Sequence, residues 1–222
     1  MRIGLSAAAF YGRMETEDQA AYLTQFAPDC CEIFLETHSE YSASFGALVK
    51  ERLQGIPCVS VHPKGTQFEP DLFGQSPRQR EDAGRIFRGV LDAGQSLGAQ
   101  WYVWHGSPCL TGRITPERIR LLGERFPLLQ QEAQSRGLEI LWENVSWCAV
   151  QTPEDVRHVH VLDWDASGKL CLPGEGTVDF RRLLGELGQL GYAGSVIIEP
   201  YPQLAVDEDA LRRSLAHLRA CV

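Results

Sequence analysis

Five residues able to bind a metal or move a proton, His62, His105, Glu143, His160 and Glu199, lie at or near the ends of short apolar runs. The runs read "CVSVH", "WYVWH", "LEILWEN", "HVHVLD" and "SVIIEP". Carboxylates and imidazoles together make a mixed oxygen and nitrogen donor set, compatible with Mn²⁺, Zn²⁺ or Co²⁺. The same groups serve as general acids and bases. Singly, each has a plainer reading: a histidine at a strand end is often a hydrogen-bonded core residue, and a glutamate there can bond a neighbouring loop. Glu199 ends an otherwise apolar segment, and removing an unpaired carboxylate from water is costly. A cation held jointly by Glu199, Glu143 and His160 would supply its partner.

The elements that must position these residues follow from apolar periodicity. Seven runs, Arg2 to Ser6, Cys31 to Glu36, Cys58 to His62, Trp101 to His105, Leu138 to Asn144, His158 to Asp163 and Ser195 to Pro200, have the length and composition of buried strands. Most alternate with helical patterns. Ser76-Pro77 opens one helix, with Ile86, Phe87, Val90, Leu91 and Leu97 on its inner stripe and Gly98 at its end. Thr115-Pro116 opens another, with Ile119, Leu122, Phe126 and Leu129 inward and Gly137 as the stop. Strand and helix in alternation imply a parallel sheet, because each crossover needs a covering helix. In a parallel barrel the carboxyl ends of the strands share the face that carries active sites.

The chain of 222 residues, 44% hydrophobic and 23% charged, reads as one soluble domain over residues 1–222. A formal charge of -8 argues against a general binder of nucleic-acid backbones. The amino terminus has too short an apolar segment for a signal peptide, and no window approaches a membrane span, so a cytoplasmic protein is expected. Seven scattered cysteines, an odd number, suit reduced core thiols better than a disulfide framework, and the adjacent Cys30 and Cys31 read as packing.

The carboxyl third, "HVHVLDWD…LPGEGTVDFRRLLGELGQLGYAGSVIIEP", together with "WEN" at Trp142 to Asn144, resembles the xylose isomerase-like (β/α)8 TIM-barrel superfamily. Within it the likeness is to the sugar phosphate isomerase/epimerase group, which also contains tagatose-type epimerases, hydroxypyruvate isomerase and endonuclease IV. The resemblance implies that Glu143, His160 and Glu199 bind one divalent metal ion, that Glu143 and Glu199 also act on the substrate, and that His62 and His105 line the substrate side.

The chain departs from that pattern twice. The family carries a further strand with an Asp, often followed by a His, between the "EN" strand and the "H-x-x-D" strand. Here only the fourteen residues Asn144 to Arg157 lie between "ILWE" and the run that starts at His158, and "TPEDVR" runs directly into "HVHVLD". A βαβ unit needs about 30 residues and the usual barrel about 250, so about one strand-helix unit is absent and a shortened barrel of seven strands is expected. Either "HVHVLD" pairs directly beside "LEILWE", the arrangement favoured by the short crossover, or it keeps its family position and leaves a slot. Secondly, "GKLCLP" at Gly168 to Pro173 lacks the Asp-x-His that supplies extra zinc ligands in endonuclease IV.

The resemblance points to an isomerase or epimerase acting on a sugar or sugar phosphate, with Glu143 and Glu199 exchanging a proton beside a carbonyl through an enediolate. His62 and His105 would bond substrate oxygens. Trp104, Trp142 and Trp147 would wall the pocket or fill the core. "GEG" at Gly174 to Gly176 is too short for a phosphate loop and reads as turn chemistry, with Glu175 in support of the site. Two rivals stand beside this reading: a non-catalytic barrel that binds a sugar or a partner, and an endonuclease IV-like nuclease, which the acidic balance opposes.

Overall fold

Strand β1 (Arg2–Ser6) is followed by α1 (Thr16–Leu23), β2 (Cys30–Leu35), α2 (Ala43–Arg52), β3 (Cys58–Pro63), α3 (Pro77–Leu97), β4 (Trp101–Trp104), α4 (Pro116–Gln134) and β5 (Glu139–Trp142). The chain continues through β6 (Val159–Val161), β7 (Asp163–Trp164), β8 (Leu170–Cys171), α5 (Phe180–Gln189), β9 (Ser195–Ile198) and α6 (Glu208–Arg219). This computed structural model describes residues 1–105, 116–143 and 157–222. The expectations for Asn144, Trp147 and the segment from Thr152 to Val156 lie outside the described residues, as do those for Thr115 and the side chain of Ile119.

Seven strands form one sheet in the order β5-β4-β3-β2-β1-β9-β6, and β7 and β8 form a separate antiparallel pair. With a helix after most strands, this is the topology of a shortened (β/α) barrel with seven parallel strands. Packing resolves two compact units, one of Met1–Phe34, Val49–Val59 and Val156–Val222, the other of Leu35–Leu48 and Ser60–Asp155.

In the first unit β1 lies between β2 and β9, with Gly4 in register with Cys30 on one side and Ile197 on the other. β6 pairs in parallel on the far side of β9. Ile3, Leu5, Val196, Ile197 and Ile198 are buried, as continuous apolar runs should be when both faces of a parallel sheet are covered. Cys30, Val59 and Ile197 pack together, and Cys30, Cys31 and Cys58 are buried free thiols, in keeping with the packing role expected of them.

In the second unit β4 pairs with β3 and β5. The stripe expected on α3 is largely buried, with Phe87, Val90, Leu91 and Leu97 inward and Ile86 only partly covered. Ser76 precedes the helix with extended backbone, Pro77 starts it, and Gly98 ends it in the left-handed conformation at φ 82° that favours glycine. No helix among the described residues is long and apolar enough to cross a membrane.

Two sequence expectations need correction. Direct pairing of "HVHVLD" beside "LEILWE" does not occur among the described residues: β6 pairs with β9, β5 pairs with β4, and the two are the terminal strands of the sheet order. A parallel neighbour is chosen by burial and crossover geometry rather than by nearness in sequence. The run "HVHVLD" is also shorter as a strand than expected, since β6 ends at Val161 and Asp163 turns away to begin the β7–β8 hairpin.

Candidate metal and acid–base site

Trp104 and Trp142 are in register across β4 and β5, so His105 and Glu143 leave the sheet at the same level, and the Glu143 backbone N–H donates to the Trp104 carbonyl at 2.9 Å. Glu143 Oε2 lies 3.2 Å from His105 Nε2 and 3.7 Å from His62 Nε2. The two imidazole rings are 4.6 Å apart between centroids. β3 and β5 are two strands apart, roughly 10 Å in a flat sheet, so these side chains meet by pointing to one side of the strands they leave. His62, His105 and Glu143 each present a ligand atom within 4.8 Å of the others.

Behind this group Trp104 is fully buried between aromatic rings, stacked with Phe73, Phe126 and Trp142 at centroid distances of 5.5, 5.3 and 5.1 Å. Trp142 retains partial exposure. The stack fixes the ends of β4 and β5. The turn after β3 is fixed by a second buried contact, in which Tyr102 Oη donates to Glu69 at 3.0 Å. Burial first, and the Glu69 charge second, push the Tyr102 phenol well above its ordinary value, so it stays protonated as the donor.

In the other unit His160 on β6 and Glu199 at the end of β9 meet, His160 Nδ1 lying 2.7 Å from Glu199 Oε2. His160 is in register with Ile197, which sets Glu199 two residues further along the neighbouring strand. The other ring nitrogen, Nε2, lies 3.0 Å from Glu32 Oε2 on β2, and His158 Nε2 lies 3.3 Å from the same oxygen. β2 and β6 are three strands apart, about 14 Å in a flat sheet, so the curl of these strands brings the side chains together. Glu32 is fully buried, and its other oxygen accepts from Ser6 Oγ at 3.1 Å. Glu32, His158 and His160 also present ligand atoms within 4.8 Å of one another.

Glu32 and His158 were not singled out in the sequence, though Glu32 carried a usable signal. It is a carboxylate inside the apolar run "CCEIFL", the same desolvation argument that marks Glu199.

Asp163 anchors the chain just beyond His160. Its carboxylate accepts from the backbone N–H groups of Trp164 (2.8 Å), Gly174 (3.0 Å), Gly176 (3.0 Å) and Val178 (2.9 Å). Burial alone would raise its pKa, but these donors outweigh it and hold the carboxyl below its ordinary value. The "GEG" turn therefore wraps a buried carboxylate. A Cβ on Gly176 would overlap Asp163 and the Trp164 carbonyl, while Glu175 pairs at the surface with Arg213 at 3.9 Å.

The chain matches no protein-family model and no curated protein. Among solved structures it is similar to a D-psicose 3-epimerase with D-tagatose from Clostridium cellulolyticum, at 16% identity and a TM-score of 0.75, over 100% of this chain and 98% of that one. It is similar to 3-keto-D-glucoside 4-epimerase, YcjR, from E. coli in its apo form, at 18% identity and a TM-score of 0.74, over the whole of both chains. The IOLI protein with a bound zinc atom is 13% identical with a TM-score of 0.68, over 100% of this chain and 96% of that one. These likenesses give the fold, a (β/α) barrel in shortened form.

Proposed function

We propose that the protein is a divalent-metal-dependent isomerase or epimerase of a sugar or sugar phosphate. The observation that carries this reading is the placing of each candidate acid–base carboxylate against imidazole, Glu143 beside His105 and His62, and Glu199 beside His160. The donor chemistry fits one ion held by Glu143, His160 and Glu199, with Mn²⁺, Zn²⁺ and Co²⁺ as candidates. The fold shared with epimerases of D-psicose and of a keto-glucoside, and with a zinc-binding protein, supports the substrate class and the metal.

Bound there, the ion would stabilise negative charge on the oxygens of the enediolate. Glu143 and Glu199 would take the proton from the carbon beside the carbonyl and return it. His62 and His105 would donate to substrate oxygens, and Trp104 and Trp142 would form the apolar wall behind them.

The test is solvent-deuterium incorporation into a turned-over ketose or aldose, with metal occupancy measured in each variant. Glu143→Gln and Glu199→Gln should each lower exchange by about 10²- to 10⁴-fold, the usual cost of removing a positioned general base. Exchange at the wild-type rate in both variants would refute the two-carboxylate mechanism. No exchange by the wild type across a broad panel of ketoses, aldoses and inososes would favour a sugar-binding protein without catalysis.

A further inference from the structure

We infer that Glu32 is a positioning residue that fixes which nitrogen His160 offers to a metal. The inference rests on the metal-site reading above and concerns a residue outside the proposed ligand set. The His160 ring lies between two carboxylates, Glu32 on its Nε2 side at 3.0 Å and Glu199 on its Nδ1 side at 2.7 Å. A neutral imidazole carries one N–H and one lone pair, and the hydrogen bond at one nitrogen decides which is which. With an ion between Nδ1 and Glu199, as the metal-site reading has it, that contact needs no proton, whereas Glu32 only accepts while ionised, so Nε2 carries the proton that bonds it. The lone pair is then on Nδ1, the nitrogen that faces the proposed ligand Glu199.

The surroundings of Glu32 suit this task. It is fully buried in the middle of β2, Ser6 Oγ donates to its Oε1 at 3.1 Å, and Ser6 and Glu32 are register partners on adjacent strands. Its Oε2 is thereby turned toward β6, where it meets the Nε2 atoms of both His158 and His160. The two rings stand edge to face, 77° apart, so one carboxylate oxygen constrains both. A carboxylate behind a metal-bound histidine sets ring orientation and tautomer and raises the basicity of the ligating nitrogen.

The experiment is Zn²⁺ titration of the wild type and of Glu32→Gln, followed by calorimetry and by ¹⁵N spectra of the imidazole nitrogens, with stability measured alongside. The amide keeps the shape of Glu32 but replaces one acceptor oxygen with a donor. Zn²⁺ affinity should fall about 10- to 100-fold in the variant. In the wild type Zn²⁺ should shift His160 Nδ1 while Nε2 keeps its proton, a readout that does not need the variant to fold. Three results would overturn the inference. Unchanged affinity in a folded variant would remove Glu32 alone and leave the metal site standing. Zn²⁺ at the Nε2 atoms of His158 and His160 would make Glu32 a ligand of a different site. No Zn²⁺ binding by the wild type would overturn this inference together with the metal-dependent reading.

Discussion

Asp163 shows what a single residue contributes to the frame of the site. It gathers four backbone donors from a stretch that runs to Val178, and so closes the hairpin that follows His160. Its pKa is lowered in the fold from an ordinary value of 3.8. The stability it contributes is thus present above about pH 4 and is lost as the pH falls through the lower folded value. Asp163→Asn puts an amide NH₂ among amide donors and should cost about 2–4 kcal/mol at pH 7. Denaturant titrations at pH 7 and pH 3 would check both parts: the gap between wild type and variant should be smaller at pH 3 than at pH 7. A gap independent of pH would mean that the charge on Asp163 does not matter. His62, proposed to donate to a substrate oxygen rather than to move its proton, gives a different expectation. His62→Ala should raise KM several-fold with a smaller change in kcat, and a kcat loss matching that of Glu143→Gln would reassign it to the chemistry.

At the scale of elements, the apolar runs and helix caps were legible because their signals are local. β1 begins and ends where its apolar run does, and Pro77 and Gly98 bracket α3 as a first-turn proline and a left-handed cap should. The glycines inside helices carried no such signal. Gly46 in α2 reads from sequence only as a loss of helix propensity, yet a Cβ there would overlap the backbone carbonyl of Ala93 in α3. Gly89 in α3 meets the carbonyl of Tyr41 in the same way. The close approach of two backbones is a tertiary fact that propensity cannot report. Gly46→Ala should gain about 1 kcal/mol of helix propensity and lose about 2–3 kcal/mol to overpacking, because backbone cannot move aside as a side-chain tip can. A Tm lower by about 2–8 °C is expected in calorimetry. A raised Tm would mean that the helices are not held at this distance.

At the scale of the whole molecule, strand–helix alternation was legible and strand order was not, since parallel partners are selected by contacts distant in sequence. The short interval between β5 and β6 suggested that they pair, yet they end the sheet order on opposite sides. The candidate site residues stood out in the sequence for another reason: each is a polar group that an apolar strand would not otherwise carry to its end. If they share one ion, as proposed, a prediction follows that concerns the entire fold. A ligand that binds only the native state adds stability of RT ln(1 + [L]/Kd), about 2.7 kcal/mol at a hundredfold excess over Kd. For a chain of 222 residues that is a Tm rise of roughly 5–11 °C. Mn²⁺ or Zn²⁺ should produce the rise in a calorimetric scan, and a chelator should reverse it. If Glu143, His160 and Glu199 hold a single ion, Glu143→Gln and Glu199→Gln should each remove most of the rise, not half of it. A full rise that survives in either variant would mean that the ion sits elsewhere, with the histidines around Glu143 and those around Glu32 as the places to look.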